Sequence, residues 1–268
     1  MNKTITSHQN PVIKSAKKLK ERKYRKNTSL FYAEGAREIS LAIKNGFQIH
    51  SFIHCPKYYS QESMKILDLI HSYPSYEVPK EIFDTLVVRK GSDGVFVSFK
   101  EHYSQLTTAI VKPSEMILGV VGVEKPGNVG ALIRTADSLG VEKIFAIDDD
   151  LDFFNPNLIR SSLGAVFSKQ IYKVSWLDLV DFCRKNKAPI YSAALSSHSS
   201  PLHEVDFSSG GVLLLGAEDT GLPDYITNSS TEVVEIPMFG DVNSLNVSAA
   251  GAIIMWEMKK QQIKDKAK

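Results

Sequence analysis

The stretch IPMFGDVNSLNVSAAG, residues 236–251, contains a strand end, a loop and the start of a helix in close succession. Pro237 cannot donate a backbone hydrogen bond, so the apolar run 233–236 is predicted to be a strand that ends there. Apolar residues then recur at helical spacing, at Val247, Ala250, Ile254 and Met258. This spacing predicts a helix, for which Ser244 is the candidate N-cap. The loop between strand and helix offers unpaired backbone amides and carbonyls, which can bind a small polar ligand.

Length and charge set the broad organisation of the chain. With 268 residues and 43% hydrophobic content, the chain can bury a sizeable core, and two modest domains are expected. The net charge of +2 is unevenly distributed, because residues 1–110 hold 17 Lys/Arg against 10 Asp/Glu and the remainder holds 15 against 20. This asymmetry predicts that the N-terminal part faces a polyanion.

Cysteine content and hydropathy exclude several classes of protein. Cys55 and Cys183 are too few and too isolated for a disulfide framework or a thiolate cluster, so no metal is expected. The first residues, MNKTITSHQN, lack the apolar core of a signal peptide, and no apolar run approaches the length of a membrane span. We therefore expect a cytoplasmic protein with no membrane partner.

The segment KSAKKLKERKYRK, residues 14–26, holds eight cationic side chains and a single acidic one, Glu21. Such a segment could be no more than a solvated helix face. However, it cannot form the i,i+4 ion pairs that normally stabilise such a face, and phosphate is its natural partner. Tyr24 is available to stack on a base. The residues expected to contact nucleic acid here are Lys14, Lys17, Lys18, Arg22, Lys23 and Arg25.

Short strands and helices alternate through the rest of the N-terminal part. Residues 30–33, 47–54, 76–79 and 94–99 are predicted strands, while residues 36–45 and 60–72 are predicted helices. These elements predict a small α/β domain of about a hundred residues. Its polar residues Glu34, Arg37 and Arg89 cannot be assigned a role from the pattern.

A second α/β unit is predicted from residue 117 onward. The run ILGVVGV, residues 117–123, is typical of a strand buried on both faces of a parallel sheet. A helix follows from Val129 and ends at Gly140, with Arg134 displayed away from its apolar stripe. Further strands are predicted at residues 143–147, 189–195, 212–216 and 233–238, alternating with helical stretches such as residues 176–185. The alternation indicates an open parallel sheet.

Polar and small residues follow the predicted strand that ends near residue 215. Gly216, Glu218 and Gly221 lie just beyond its carboxyl end, where open α/β sheets bind ligands. Gly216 would let a ligand approach the backbone, although a structural turn explains the pattern as well. There is no G-x-G-x-x-G after the first strand of this unit and no P-loop, so neither a dinucleotide nor a nucleoside triphosphate is indicated.

Three blocks of sequence together resemble one known family. The blocks are Asn128-x-Gly130 with Arg134-Thr135-Ala136, then Gly216-x-Glu218 with Gly221-Leu222, then Ile236-Pro-Met-x-Gly240 with Ser244-Leu-Asn-Val-Ser248. Their residues, order and spacing resemble the signature motifs of the SpoU/TrmH family in the SPOUT superfamily. That family consists of S-adenosylmethionine-dependent RNA ribose 2′-O-methyltransferases.

The resemblance extends beyond the three blocks. The N-terminal motifs Asn10-Pro11-Val-Ile-Lys and Phe31-x-x-Glu34-Gly35-x-Arg37 resemble the ribosomal-protein-like substrate-binding domain of many members. Where members often carry Pro-Gln-Gly, this chain has Ser92-Asp93-Gly94. The implied organisation is an α/β RNA-binding domain at residues 1–106, a linker at 107–116, and a parallel-sheet SPOUT domain with a trefoil knot at 117–268. A homodimer is also implied.

The resemblance assigns roles to particular residues. It implies that S-adenosylmethionine is bound by the residues Gly216, Ala217, Ile236, Pro237, Met238, Ser244, Leu245 and Asn246. Arg134 is implied to prepare the ribose hydroxyl, with Asn128 and Glu218 shaping the site, and Arg160 to contact RNA. Ribosomal RNA is the expected substrate, and transfer RNA is the alternative within the enzyme class. A noncatalytic RNA-binding or ribosome-assembly protein is the alternative from another class.

Overall fold

The computed structural model of the chain describes residues 2–69, 73–148 and 150–266. In this part of the chain the strands are β1 (Asn2–Thr4), β2 (Leu30–Glu34), β3 (Ile49–His54), β4 (Ser75–Glu77), β5 (Val95–Lys100), β6 (Met116–Val120), β7 (Lys143–Ile147), β8 (Gln170–Val174), β9 (Ile190–Ala193), β10 (Ser200–Pro201), β11 (Gly211–Leu215) and β12 (Glu232–Glu235). The α-helices are α1 (Pro11–Lys18), α2 (Arg22–Thr28), α3 (Ala36–Lys44), α4 (Gln61–Leu69), α5 (Lys80–Leu86), α6 (Pro126–Ser138), α7 (Pro156–Ser161), α8 (Trp176–Asn186), α9 (Asp224–Thr227) and α10 (Val247–Lys266).

The described residues pack into two compact units. The first unit contains the chain up to His102 together with Asp152–Ser168, and the second contains Tyr103–Leu151 and the chain from Lys169 onward. The segment Asp152–Ser168 leaves the second unit after β7 and returns to it before β8, an excursion that the sequence did not predict. The boundaries predicted at residues 106, 107–116 and 117 stay a prediction.

The first unit is built on a mixed five-stranded sheet. The strand order is β1-β4-β3-β5-β2, in which β1, β4 and β3 are parallel while β5 runs antiparallel to both β3 and β2. Asn10 starts α1 by accepting a hydrogen bond from the backbone N–H of Val12 at 2.9 Å, and Pro11 occupies the first helical position. A core of Ile13, Ile53, Phe83 and Phe96 lies under this sheet.

Aromatic rings join the segment Asp152–Ser168 to the rest of the first unit. Phe31 on β2 stacks on Phe154 with ring centroids 4.3 Å apart and on Phe167 at 5.7 Å. Phe47 meets both rings edge to face. These side chains are buried or half-buried, and each large ring buried in this way contributes a substantial share of core stability. The segment is therefore an integral part of the first unit.

The second unit is built on a seven-stranded sheet in the order β10-β12-β9-β11-β6-β7-β8, and every pairing in it is parallel. Strands β6, β7 and β11 are buried along their whole length, which explains their continuous apolar sequences. Leu106, Ala109 and Val111, from the predicted linker and the residue before it, pack against one face of the core. These contacts hold that part of the chain on the second unit.

The C-terminal helix α10 packs against α6 and β11. A side-chain carbon at Gly251 would lie 2.4 Å from Leu132 Cδ2 and 2.6 Å from Leu215 Cδ1, so any larger residue would require these two leucine side chains to move. Helix α10 begins at Val247, and the side chain of Asn246 accepts a hydrogen bond from the backbone N–H of Ser248 at 2.9 Å. Asn246 is therefore the N-cap, and the prediction of Ser244 was wrong because the loop runs two residues further.

Most predicted elements are present with shifts of one to three residues at their ends. The elements that were not predicted include strands β1, β8 and β10 and helices α5, α7 and α9. Helix α5 has no side-chain cap, and β8 mixes buried and exposed positions at the sheet edge. The trefoil knot stays an implication of the resemblance. No helix in the described residues is long and apolar enough to cross a membrane.

Candidate active site

The candidate site lies where three neighbouring strands of the second unit end. Strands β12, β9 and β11 are adjacent and parallel, so their carboxyl ends meet at one edge of the sheet. Two of the sequence blocks that predict the site follow β11 and β12 directly. In parallel sheets this edge is where loops gather to bind ligands.

A cavity of about 470 Å³ lies at this edge. Among the predicted cofactor residues, those that line it are Gly216, Ala217, Ile236, Met238, Ser244 and Leu245. The sequence missed Ala193, Ala194 and Leu195, which follow β9 and line the same cavity. They could have been found only from the strand order, since nothing in their residue types marks a ligand site. Pro237 and Asn246 are not lining residues.

The charge of the cavity wall restricts the ligands that fit. Four carboxylate residues line the cavity, namely Glu218, Asp219, Asp224 and Glu235. The lining contains no Lys, Arg or His in the part of the chain that the structure describes. The rest of the wall includes apolar side chains such as Leu222, Val247 and Ile254. A cationic ligand with an apolar or aromatic part therefore fits, whereas a phosphate-bearing ligand would meet uncompensated negative charge.

One hydrogen-bond network connects the three sequence blocks. Asn128, in the first turn of α6, donates from its side-chain amide to Glu218 Oε1. Asn246 Nδ2 in turn donates to Asn128 Oδ1 at 3.3 Å. Because Asn246 Oδ1 accepts from the backbone of Ser248, the orientation of each amide is defined by its partners. The network brings Asn128, Glu218 and Asn246 together from positions far apart in sequence.

Arg134 lies apart from this network, on the exposed side of α6. Its backbone carbonyl accepts a hydrogen bond from Ser138 at 3.0 Å. Its guanidinium has no hydrogen-bond or ion-pair partner among the described residues, and it does not line the cavity. The prediction that Arg134 is displayed is confirmed, and its charge is available to a large ligand outside the cavity.

The structural turn, one of the two explanations that the sequence offers for Gly216, is present in the structure. A side-chain carbon at this position would lie 2.4 Å from the carbonyl carbon of Gly221 and 2.5 Å from its oxygen. The chain returns here in a tight loop, in which Gly221 donates to the carbonyl of Ala217 at 3.0 Å with a φ of +67°. Glycine at 216 therefore accommodates the returning backbone, and its contact with the cofactor stays a prediction.

The basic segment forms α1 and α2 in the first unit. Lys14, Lys18, Arg22 and Lys23 are exposed, and Lys17 is half-buried with its Nζ 3.5 Å from His8 Nδ1. Lys18 lies over the ring of Tyr24, whose hydroxyl is 2.9 Å from Ser15 Oγ. Tyr24 thus has contacts within the segment, and its stacking on a base stays a prediction.

The prediction that Arg25 contacts RNA was wrong. Its side chain is only 2% exposed and pairs with Asp152 at 2.5 Å, while Nη1 donates to the carbonyl of Leu19 at 2.6 Å. A guanidinium buried in this way has no surface left for phosphate. Arg160 on α7, in contrast, is exposed, and its guanidinium donates to Asn157 Oδ1 at 3.1 Å.

Comparison with known proteins identifies the class of protein that this fold and site define. Residues 115–256, more than half of the chain, match the SpoU rRNA Methylase family, and residues 10–97 match an MRM3-like substrate binding domain. A 23S rRNA (guanosine(2553)-2′-O)-methyltransferase, RlmP, of Bacillus subtilis (strain 168) is 25% identical over 96% of this chain and 99% of its own length. A tRNA (guanosine(18)-2′-O)-methyltransferase of Thermus thermophilus is 32% identical over 53% of this chain and 73% of its own length.

Solved structures give the same result. The AdoMet-bound rRNA methyltransferase from Sinorhizobium meliloti has a TM-score of 0.87 and 27% identity, covering 97% of this chain and 98% of its own. The chain belongs to the SpoU rRNA Methylase family. The predictions of the family, the α/β fold class with a parallel-sheet domain and an N-terminal substrate-binding domain, and an RNA 2′-O-methyltransferase are confirmed. The prediction of S-adenosylmethionine as cofactor is also confirmed by the Sinorhizobium meliloti relative, which was solved with it.

Proposed function

We propose that this protein transfers a methyl group from S-adenosylmethionine to a ribose 2′-hydroxyl of ribosomal RNA, as a homodimer in the cytoplasm. The observation that carries this proposal is the network in which Glu218, Asn128 and Asn246 meet beside an anionic cavity. Each of the three residues comes from a different signature block. A network of this kind, joining separate loops at the ligand edge of a sheet, is expected of a binding site rather than of an ordinary turn.

The cavity fits the proposed cofactor in size and charge. Its volume of about 470 Å³ is within the range of ordinary small-molecule sites. S-adenosylmethionine carries a sulfonium cation and an apolar adenine face, which suit a wall that combines carboxylates with Leu222, Val247 and Ile254. The residues that would hold it are those of the three loops that line the cavity, through their backbone amides and carbonyls.

The chemistry divides between the cofactor and the chain. When bound in the cavity lined by Gly216, Met238 and Leu245, S-adenosylmethionine would supply an electrophilic methyl group for transfer to the ribose oxygen, and the hydroxyl proton would pass to solvent. Asn128 holds the carboxylate of Glu218 in a fixed orientation beside the cavity. An arginine guanidinium is a poor base, so the role proposed for Arg134 is to bind the adjacent phosphate and to stabilise negative charge on the ribose oxygen.

An exposed apolar surface supports the proposed homodimer. Ile253, Trp256 and Ile263 lie on one side of α10 and are 42%, 53% and 53% exposed. Phe239, in the loop that precedes α10, is 98% exposed. Exposed apolar groups that cluster on one helix face are typical of an interface between subunits. Trp256→Asp should convert a dimer to a monomer in sedimentation equilibrium, whereas an unchanged mass would exclude this face as the interface.

Ribosomal RNA is favoured as the substrate by the relatives that match nearly the whole chain. The Bacillus subtilis relative is named for 23S rRNA and matches both units, whereas the Thermus relative named for tRNA matches about half of this chain. The first unit, which includes the substrate-binding domain match, is therefore shared with the relative named for rRNA.

The decisive experiment is methyl incorporation from labelled S-adenosylmethionine into RNA from cells that lack this gene. Incorporation into 23S rRNA at a position that becomes resistant to alkaline cleavage is the expected result. Label found only in tRNA would establish the alternative substrate. A protein that binds rRNA but incorporates no label into either RNA would be the noncatalytic alternative.

A further inference from the structure

A second cavity, of about 250 Å³, lies wholly within the first unit. Three parts of the chain line it: the end of β2 with the start of α3, the loop between α5 and β5, and helix α7 with the residue two positions beyond it. Glu34, Arg37 and Arg89, to which the sequence pattern assigns no role, all belong to this lining. Three polar residues without an assigned role thus line the same cavity, and one function of the cavity could explain all three.

Three arginines line this cavity, and two of them have no side-chain partner among the described residues. Arg37, Arg89 and Arg160 line it and are exposed at the surface. The guanidinium groups of Arg37 and Arg89 have no hydrogen-bond or ion-pair partner within residues 2–69, 73–148 and 150–266. Three guanidinium groups around a small cavity provide many donors, which is the arrangement expected for a phosphate or another acceptor-rich group.

Two of the nearby carboxylates are already occupied by the protein. Glu34 accepts hydrogen bonds from the backbone N–H groups of Val88 and Arg89 at 2.7 and 2.9 Å. Asp93 accepts from the backbone N–H of Ala36 at 3.0 Å and so holds the loop against the start of α3. Asp93 stands where the resembling family often has glutamine, and this contact is its structural role. Glu34 and Asp93 therefore position the cavity walls through backbone contacts and do not pair with the arginine side chains.

A buried hydroxyl at this cavity also lacks a partner. Tyr32 is 1% exposed and lines the cavity, and its hydroxyl has no hydrogen-bond partner in the described chain. Burial raises the pKa of Tyr32, so the phenol is neutral and can both donate and accept. Burial likewise raises the pKa of Glu38, whose carboxyl lies against Gly35 at the cavity wall. Such groups are ready to pair with the edge of a planar polar molecule.

The backbone around the cavity is strained in a way typical of ligand-binding loops. Four consecutive residues, Gly91, Ser92, Asp93 and Gly94, have positive φ values of 84°, 31°, 54° and 70°. Leu163, in the opposite wall, also has a positive φ, of 53°. Non-glycine residues adopt this conformation only when the surrounding structure requires it, and such residues concentrate at ligand-binding sites.

We propose that this cavity binds a single unpaired nucleotide of the RNA substrate, with its base against Tyr32 and Glu38 and its phosphate at the arginines. A double helix is read across an extended surface, whereas a small enclosed cavity admits one base that has left its stack. Arginine planes and a polar aromatic group are the usual partners of such a base. The proposal rests on the proposed function, because it takes RNA as the substrate.

The first test separates substrate binding from the rest of catalysis. In the methylation assay with 23S rRNA, Arg37→Ala and Arg89→Ala should each raise KM for RNA about tenfold, and the affinity for S-adenosylmethionine measured by calorimetry should be unchanged. Lys44→Ala, an exposed position on the same helix α3 that does not line the cavity, is the matched control and should behave as the unchanged protein. A KM equal to that of the control in both arginine variants would overturn the proposal.

A second test does not depend on methyl transfer. Fluorescence anisotropy measures the binding of single-stranded RNA tetranucleotides to the full chain. Arg37→Ala and Tyr32→Phe should each weaken this binding. Neither substitution should change the affinity for an RNA duplex of equal charge. Tyr32→Phe removes the hydroxyl while keeping the ring that stacks on Phe96 at 4.7 Å, so the fold is retained. If the tetranucleotide binds all variants equally, the cavity is not a nucleotide site.

The two tests together distinguish the possible failures. Binding of tetranucleotides that depends on Arg37, in a protein that methylates no RNA, would refute the proposed function and keep the nucleotide site. Methylation of 23S rRNA that no cavity variant affects would refute the nucleotide site and keep the proposed function. If free nucleoside monophosphates compete as well as tetranucleotides, the site serves a free nucleotide, and the assignment to the RNA substrate is wrong.

Discussion

Arg134 and Asn128 illustrate two different uses of a polar side chain at one site. Asn128 is fully occupied, because it donates to Glu218 and accepts from Asn246. Arg134 is exposed and its guanidinium has no partner in the described residues. A side chain fixed by its neighbours shapes a site, whereas an unpaired one acts on what arrives from outside. This difference predicts different outcomes when each is removed.

Arg134→Ala should reduce methyl transfer by about 100-fold or more while leaving S-adenosylmethionine binding nearly unchanged, because the guanidinium lies outside the cavity and stabilises charge only during transfer. Activity assays and calorimetry on the same preparation measure both quantities. Ser138→Ala, one turn further along α6 and also exposed, is the control. Turnover retained in Arg134→Ala would remove this residue from catalysis.

His54 makes the stability of the first unit depend on pH. Burial lowers the pKa of His54, which stacks on Phe52 and has its Nδ1 2.6 Å from the hydroxyl of Tyr59. At about pH 7.5 the histidine is almost entirely neutral in both folded and unfolded chains, because its pKa in the unfolded chain is about 6.5. As the pH falls below that value, the unfolded chain binds a proton that the folded histidine resists, so stability is lost on acidification.

The fall in the thermal unfolding midpoint between pH 7.5 and pH 5 should therefore be smaller in His54→Gln than in the unchanged protein. His50→Gln, at an exposed position on the same strand, should keep the full dependence. Scanning calorimetry at the two pH values measures the difference. Equal shifts in the two variants would show that His54 does not contribute.

In helices α1 and α2, cationic residues that look equivalent in sequence differ in their exposure to solvent. Within the basic segment, Arg25 turns inward to Asp152 while Lys18, Arg22 and Lys23 remain exposed. Only exposed cations can release counterions when RNA binds. Helices α1 and α2 therefore provide a smaller RNA-binding surface than their number of cationic residues indicates.

Replacing the four candidate cations Lys17, Lys18, Arg22 and Lys23 by glutamine should weaken RNA binding and reduce its salt dependence. If all four contact phosphate, the slope of log affinity against log salt should become shallower by about 3. Filter binding at several salt concentrations gives this slope. The same change at exposed lysines elsewhere in the first unit, Lys44, Lys57, Lys65 and Lys100, is the control, and equal slopes in both variants would exclude the segment.

At the scale of the whole molecule, two units are connected by more than one stretch of chain. The chain passes between them after His102, after Leu151 and after Ser168. The segment Asp152–Ser168 supplies the first unit with the carboxylate that neutralises Arg25 and with the rings of Phe154 and Phe167. The first unit is therefore incomplete when only the residues up to His102 are present.

A fragment that ends at His102 should be less stable than the same fragment joined through a flexible linker to residues 152–168. Leaving the buried Arg25 without its partner costs about 3–5 kcal/mol. Losing the contacts of Phe154 adds a cost of similar size. Urea unfolding followed by circular dichroism measures the difference, with Asp152→Ala and Phe154→Ala in the joined fragment as controls. Two fragments of equal stability would contradict this account.

Much of the second unit could be predicted because its sequence signals are local. The continuous apolar runs of β6, β7 and β11 require burial on both faces of the sheet. Pro237 lacks a backbone N–H for the strand ladder, so the preceding strand is expected to end there. The family resemblance implied that the loops carrying Gly216 and Met238 hold one cofactor, and both loops line the same cavity because parallel strands end at a common edge.

Other features could not be predicted because they depend on contacts between distant residues. Arg25 and Asp152 are 127 positions apart, and nothing near Arg25 distinguishes it from its exposed neighbours. Leu195 lines the active-site cavity only because β9 lies between β11 and β12 in the sheet. The cavity at Arg37 likewise exists only once α7 has joined the first unit.

The excursion of Asp152–Ser168 also determines the order of events during synthesis. Domains generally fold from the N-terminus as the ribosome extends the chain. Here the first unit cannot be completed when its own sheet has emerged, because its last aromatic rings and the counterion of Arg25 are translated only after β7. The nascent N-terminal region therefore remains incompletely folded until Ser168 has left the exit tunnel of the ribosome.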